Sequence, residues 1–198
     1  QLFAVEALTK PMNAQKMGKP VETKVEWLTK LSGTDLEDLC RAAEQAINDG
    51  NGFGWLKPPT RDVLENYWRG TLMVPGREVI VARYDGTIVG SAQLTRPPSN
   101  NEAQSFAAAI TTFFIAPFAR GHGLARGLLT ALESRAADDG FEAIELNVRQ
   151  TQGAAIALYE SCGYQRWAKK DRYAKVDGEF VGGYFYAKAL GPTAGPGT

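Results

Sequence analysis

Arg120-Gly121-His122-Gly123-Leu124-Ala125 is the segment of this chain best suited to holding phosphate. It follows an apolar, β-branched run and opens an amphipathic one, which puts its glycines at a strand-to-helix turn. The first N–H groups of a helix have no partner within it and sit at the positive end of its dipole, so such a turn binds phosphate oxygens. Gly121 and Gly123 let the main chain approach a pyrophosphate closely, and Arg120 adds charge. His122 is the sole histidine, so a Ser-His-Asp or Cys-His mechanism would have to be built around it. Inside the phosphate turn it is expected to face phosphate or solvent, because a general base must reach the acceptor itself.

A second segment, Gln152 through Tyr164, reads as a short helix running into a strand. Tyr159 lies four residues after Ala155, shares its helical face and can point to the sheet. Behind a phosphate-binding turn and another strand, it becomes a catalytic candidate. Phe53 and Trp55 are candidates to line an acceptor pocket, ahead of Trp68 and Trp167, because glycines flank Phe53. The run Arg166, Lys169, Lys170, Arg172, Lys175 is relieved only by Asp171. It reads first as a solvated hairpin face and second as an attractor of cofactor phosphates or an acidic substrate.

These segments need a scaffold, and periodicity supplies one. Val21 to Lys30 alternates as a strand, and Leu36, Leu39, Cys40, Ala43 and Ile47 fall at helical spacing behind Thr34 or Asp35. Thr60 opens a short helix with Val63, Leu64, Tyr67 and Trp68. Glu78–Tyr84 and Thr87–Leu94 flank Asp85-Gly86, a tight-turn signal, and Tyr164–Tyr173 and Val181–Leu190 flank Asp177-Gly178. Between the two hairpins come a strand at 106–115, a helix at 123–138, a strand at 141–148 and a helix at 153–161. The order β-α-α-β-β-β-α-β-α-β-β predicts a single α/β (α+β) domain with a mixed, mostly antiparallel sheet flanked by helices. Its βαβ core is one right-handed crossover, so it is not a doubly wound fold. Residues 1–20 are expected to be an irregular arm, 21–190 the domain and 191–198 a disordered Gly/Pro-rich tail.

The chain has 198 residues, with 22 Lys+Arg against 22 Asp+Glu and 44% hydrophobic residues, as in an ordinary globular protein. Zero net charge argues against a dedicated nucleic-acid or membrane-surface binder. No apolar run is long enough to span a bilayer. Gln1 in place of an initiator Met implies trimming or a fragment. Cys40 and Cys162, with one His, cannot make a structural zinc site, and read as small buried hydrophobes in a reduced compartment rather than a disulfide.

The stretch Ile115-Ala116-Pro117-Phe118-Ala119 through Ala125, followed by Ala155-Ile156-Ala157-Leu158-Tyr159-Glu160-Ser161-Cys162-Gly163-Tyr164, resembles the GNAT superfamily of acetyl-CoA-dependent N-acetyltransferases. The resemblance covers residues 78–190; the segment before it shares only a strand-helix-helix outline. Gly52-Phe53-Gly54-Trp55, Ser91-Ala92-Gln93-Leu94 and the stretch from Tyr173-Ala174 to Asp177-Gly178 are more distantly similar to the tabtoxin-resistance acetyltransferases. The resemblance implies acetyl-CoA as co-substrate, no metal, and transfer of acetyl to a primary amine of a small molecule or peptide by direct attack in a ternary complex. It implies backbone contacts from Phe113, Phe114 and Ile115 to pantetheine, and amides of Gly121, His122, Gly123, Leu124 and Ala125 on the pyrophosphate. Arg120, Gln152 and Ala155 complete the cofactor site, with Tyr159 catalytic and Phe53 and Trp55 on the substrate. A cytoplasmic protein is expected, on a fold that commonly dimerises. Two positions depart from the pattern. Gln152 stands where the family often has Asn, and Ala107 to Thr112 contains no acid where it often has Glu, so the general base is open.

The chemistry has a scale. Deprotonating a primary ammonium of pKa about 10.4 at pH 7 costs roughly 4.6 kcal/mol. Full proton transfer from a tyrosine near 10 to a thiolate near 8.5 is uphill by about 2 kcal/mol, so Tyr159 suits a hydrogen-bond donor that yields its proton as the thiolate leaves. Glu102 and Glu145 are the nearest acids by topology, and both read as solvated rim charges. Two other readings stand beside this one. A non-catalytic acyl-CoA sensor could use the same fold, and Gly121-x-Gly123-x-x-x-Gly127 approaches a dinucleotide fingerprint, although Leu146-Asn147-Val148 lacks the ribose-binding acid of an NADP-type site.

Overall fold

The computed structural model describes residues 21–50 and 53–191. The expected arm at 1–20, Gly52 of the glycine-rich loop and the tail from 192 lie outside them. The elements run β1 (Thr23–Leu28), α1 (Asp35–Asn48), α2 (Arg61–Thr71), β2 (Arg77–Tyr84), β3 (Thr87–Thr95), β4 (Ala107–Ile115), α3 (Leu124–Asp138), β5 (Ala143–Arg149), α4 (Gly153–Ser161), β6 (Gln165–Val176) and β7 (Glu179–Ala189). Short 3₁₀ turns sit at Glu102–Gln104 and Pro117–Ala119. This is the order read from periodicity. Both hairpins turn as their Asp-Gly pairs demand, with φ of 47° and 81° at Asp85 and Gly86, and 50° and 89° at Asp177 and Gly178.

The strands form one sheet in the order β1-β2-β3-β4-β5-β7-β6. All neighbours are antiparallel except β4 and β5, joined through α3. A hydrophobic layer covers each face. Leu128, Leu129 and Leu132 of α3 pack with Ile80, Ile144 and Leu146, and α4 adds Tyr159 to this layer. On the other face Leu39, Cys40, Ala43 and Ala46 of α1 and Leu64 and Trp68 of α2 pack over Val79, Val81 and Ile88. Val63, expected on the buried face of α2, is exposed. Asp35 and Asp38 are buried at the start of α1. Arg83 donates to Asp35 at 2.9 Å and to Glu26 at 2.5 Å, tying β1, β2 and α1 together.

The sheet opens at its centre. β4 and β5 pair only over Ala107–Ala109 and Ala143–Glu145. Beyond that, β4 stays on β3 as far as Ile115, while β5 stays on β7 as far as Arg149. A bulge marks the divergence. The β3–β4 register shifts between Ser91 and Gln93, and Thr112 adopts φ of 51°, an outlier for a β-branched residue. Strict alternation from Ile110 would put Thr112 and Phe114 on its face. The extra residue instead turns Phe113 and Ile115 to Ile110's side and sends Phe114 into the opposite layer.

Candidate active site

The gap between β4 and β5 is a cleft of about 630 Å³, within the range of small-molecule sites. Its floor comes from Ile110, Phe113, Leu146 and Val148, with Ala155 and Tyr159 of α4 on one face of the sheet. Phe53, Gly54 and Leu56 enter from the α1–α2 connection, and Asn147, Tyr173 and Lys175 from the other wall. The cleft is therefore lined by residues from both faces of the sheet.

Tyr159 is 4% exposed, with its ring edge-on to Phe113 at 5.8 Å between centroids. Its position is fixed from behind: Tyr186, wholly buried, donates to Glu160 at 2.8 Å and so ties α4 to β7. Burial alone pushes the Tyr159 phenol well above the usual value for tyrosine. It is therefore held protonated, with a hydroxyl hydrogen available to donate. Full transfer of its proton, uphill already by the values of free side chains, is further uphill here. Cys40 is likewise held protonated, its thiol pushed up to about 11 by burial, and both cysteines are free.

The Arg120–Ala125 turn has the backbone expected of it. Gly121 and Gly123 have φ of 82° and 77°, and Gly123 caps α3. All three residues from Gly121 to Gly123 are exposed, and a Cβ at either glycine would meet nothing within 4 Å, so the approach to the α3 amides is open. Those amides and the free β4 edge fit a pyrophosphate joined to an extended pantetheine arm. Arg120 is partly engaged already, pairing with Asp49 at 2.7 Å and donating to the Ile115 carbonyl at 3.3 Å. His122 donates from Nδ1 to the Ala119 carbonyl at 3.2 Å, and its Nε2 lies 3.5 Å from the Tyr84 hydroxyl. It does not line the cleft.

The remaining sequence candidates divide. Phe113 lines the cleft, whereas the side chains of Phe114 and Ile115 are core, leaving them only their backbone to offer. Leu124 is buried in the core, so its contribution too would be its amide. Gln152 lines the cleft and donates to the Gly50 carbonyl at 2.8 Å, as does Arg149, so both hold the α1–α2 connection at the mouth. Phe53 lines the cleft while stacking on Phe114 at 4.9 Å. Trp55 does not; it packs edge-on against Tyr67 at 5.0 Å. Glu102 is exposed away from the cleft, and Glu145 lines a smaller recess beside it with Trp167 and Phe185.

Leu56, Asn147, Arg149 and Tyr173 of the cleft, and Gln93 behind it, escaped sequence reading. Gln93, wholly buried in β3, donates to the Tyr67 hydroxyl at 3.0 Å, and that hydroxyl lies 3.1 Å from Thr112 Oγ1. The chain of groups ends on the left-handed residue of the bulge. A glutamine amid the apolar residues of a central strand was the available signal. Tyr173 also gained a partner, Asn147, to which it donates. Its ring lies so close over Gly183 that a Cβ there would overlap it.

Among known proteins, the acetyltransferase (GNAT) family pattern matches residues 40–164. An uncharacterised N-acetyltransferase from the hisH–hisA intergenic region of Azospirillum brasilense is 52% identical over 131 residues, 66% of this chain and 78% of that one. An N-alpha-acetyltransferase RimI of Mycobacterium tuberculosis is 34% identical over 111 residues, 54% of this chain and 64% of that one. In three dimensions an acetyltransferase from Salmonella typhimurium, yncA, solved with acetyl-CoA, superposes with a TM-score of 0.68 at 18% identity, covering 88% and 98% of the two chains. An N-acetyltransferase from Staphylococcus aureus Mu50 gives 0.71 at 19% identity over 85% and 99%. At these identities the structural likeness is one of fold.

Proposed function

The chain belongs to the acetyltransferase (GNAT) family and is an N-acetyltransferase using acetyl-CoA, and from that premise we propose that the β4–β5 cleft carries the transfer. The observation supporting this site is the coincidence, in one slot, of an open strand edge, the α3 amides at its end and the buried donor Tyr159. When bound, acetyl-CoA supplies a thioester whose carbonyl an amine attacks and whose thiolate leaves.

The protein's own groups divide the remaining work. The N–H groups at Gly121 to Ala125 hold phosphate through charge-assisted hydrogen bonds and the α3 dipole. The unpaired edge of β4 from Ile110 to Ile115 aligns the arm's amides. Tyr159 offers its hydroxyl hydrogen where negative charge collects on the departing sulfur, an interaction strengthened only as that charge appears. Phe53 and Leu56 exclude water on the acceptor side. The acceptor is a primary amine of a small molecule or peptide. No carboxylate or imidazole lines the cleft among the described residues, so the amine proton leaves through water.

A dinucleotide oxidoreductase fits poorly: the sheet has one parallel pair, and β5 ends in Val148-Arg149 without an acid. The deciding test against a mere acyl-CoA sensor is thiol release from acetyl-CoA, dependent on added amine, with the N-acetylated product weighed by mass spectrometry. Tight acetyl-CoA binding without release across a broad amine panel would overturn the catalytic reading.

A further inference from the structure

We infer that the acceptor is a small amine carrying its own anionic group, a carboxylate or phosphonate near the nitrogen, and that Lys175 holds that anion. The inference rests on the cleft being the site of transfer. It starts from charge. The side chains that line the cleft include two cations, Arg149 and Lys175, and no Asp or Glu among the described residues. A chain of zero net charge thus concentrates one sign at its cleft. An acceptor recognised by its ammonium alone, and above all a polyamine or a lysine-rich peptide, meets no countercharge there and is repelled by the rim.

Placement narrows the role to Lys175. Arg149 already holds the Gly50 carbonyl. Within the basic run of β6, Arg166 stacks over Tyr184 at 4.4 Å, Arg172 over Phe180 at 3.8 Å, and Lys169 pairs with Asp171 at 2.8 Å. Lys175 alone of these reaches the cleft; its one described contact is the Phe180 ring, 5.6 Å away, and no carboxylate pairs with it. It lies two residues after Tyr173, which donates to Asn147 on the face of β5 opposite Leu146 and Val148, and so on the side of the sheet away from the α4 layer that carries Tyr159. A cation there is placed for the acceptor, while the cofactor's phosphates have the α3 turn. Glu145, the nearest carboxylate, lines only the adjoining recess. Size agrees: about 630 Å³ must take the acetyl-bearing arm as well, which leaves room for an amino-acid-sized molecule.

The test measures thiol release with L-alanine, L-methionine and L-glutamate, with their α-amides, and with spermidine, in wild type, Lys175→Gln and Lys175→Glu. An acid should exceed its own amide in kcat/KM by tenfold or more, the scale of one hydrogen bond to a charged group. In Lys175→Gln that ratio should fall towards one, and in Lys175→Glu it should invert, with KM for acetyl-CoA within twofold throughout. Amides or spermidine used as well as the acids would overturn anion recognition and leave acetyl transfer standing. A Lys175→Gln variant whose defect lies in acetyl-CoA KM would assign the lysine to the cofactor and overturn it too. Failure of every amine tested to give release, in protein that binds acetyl-CoA by calorimetry, would sink both this inference and the catalytic reading.

Discussion

The hydroxyl of Tyr67 on α2 lies 3.1 Å from that of Thr112 on β4, across the bulge at which the central sheet divides. Gln93 donates to the same phenol, which also shares a hydrogen bond with the Thr112 hydroxyl, so one phenol oxygen joins β3, α2 and β4. A left-handed β-branched residue costs of order 1–3 kcal/mol and persists where its surroundings hold it. Tyr67→Phe should therefore leave the buried Gln93 amide without its partner, lowering stability to urea by about 1–3 kcal/mol. It should also lower kcat more than it alters acetyl-CoA affinity. A variant as stable and as active as wild type would mean that the bulge needs no such support.

Gly123→Glu should abolish acetyl-CoA binding while the fold survives. Space is not the obstacle, since a Cβ there meets nothing within 4 Å. The costs are a φ of 77° in an L-residue and a carboxylate among amides whose dipole favours a bound anion by about 0.3–1 kcal/mol. Calorimetry showing binding within threefold of wild type would move the pyrophosphate elsewhere.

Tyr159→Phe should cut kcat by an order of magnitude or more and leave acetyl-CoA affinity nearly unchanged. The hydroxyl acts on charge that exists only as the thiolate leaves, and general-acid help is typically worth 10²–10⁴-fold. If kcat holds and KM rises instead, Tyr159 serves packing or binding.

The pH–rate profile should show no enzyme base. With Glu102 and Glu145 both outside the cleft, kcat/KM should climb with pH towards the acceptor amine's own pKa. Glu102→Gln and Glu145→Gln should retain that climb. A limb with pKa near 6–7, lost in either variant, would identify a dedicated base.

Acid should loosen the α1–β2 junction. Burial acts to raise the Asp35 carboxyl, but hydrogen bonds from Arg83 and Ser32 outweigh it and hold the group below the usual carboxylate range. Glu26 is lowered too, by Lys24 and then Arg83. A depressed folded-state pKa adds stability above the unfolded-state value, and that stability is lost as pH falls through the folded one. Wild type should thus weaken progressively below about pH 4.5. Arg83→Met should cost about 3 kcal/mol at pH 7 by stranding a buried carboxylate, and should flatten that acid limb in denaturation midpoints.

Much of this protein is written in local pattern. Period-2 and period-3.6 runs mark the strands and helices, Asp85-Gly86 and Asp177-Gly178 mark turns only positive φ can make, and four-residue spacing puts Tyr159 on the sheet side of α4. Gly121 and Gly123 announce an open helix N-terminus because their need for positive φ is a property of the residue itself. The tertiary structure decided what depends on partners distant in the chain. Alternation along β4 assigns Phe113 and Phe114 to the wrong faces, because the bulge is set by β3's register. Arg120 is met by Asp49, Trp55 is drawn onto Tyr67, and Lys175 is the one cation of its run to reach the cleft. The cleft exists because β4 and β5 each keep their outer neighbour and give up one another. Backbone hydrogen bonding between strands is identical for every residue type but proline, so side-chain order alone does not say where two strands part.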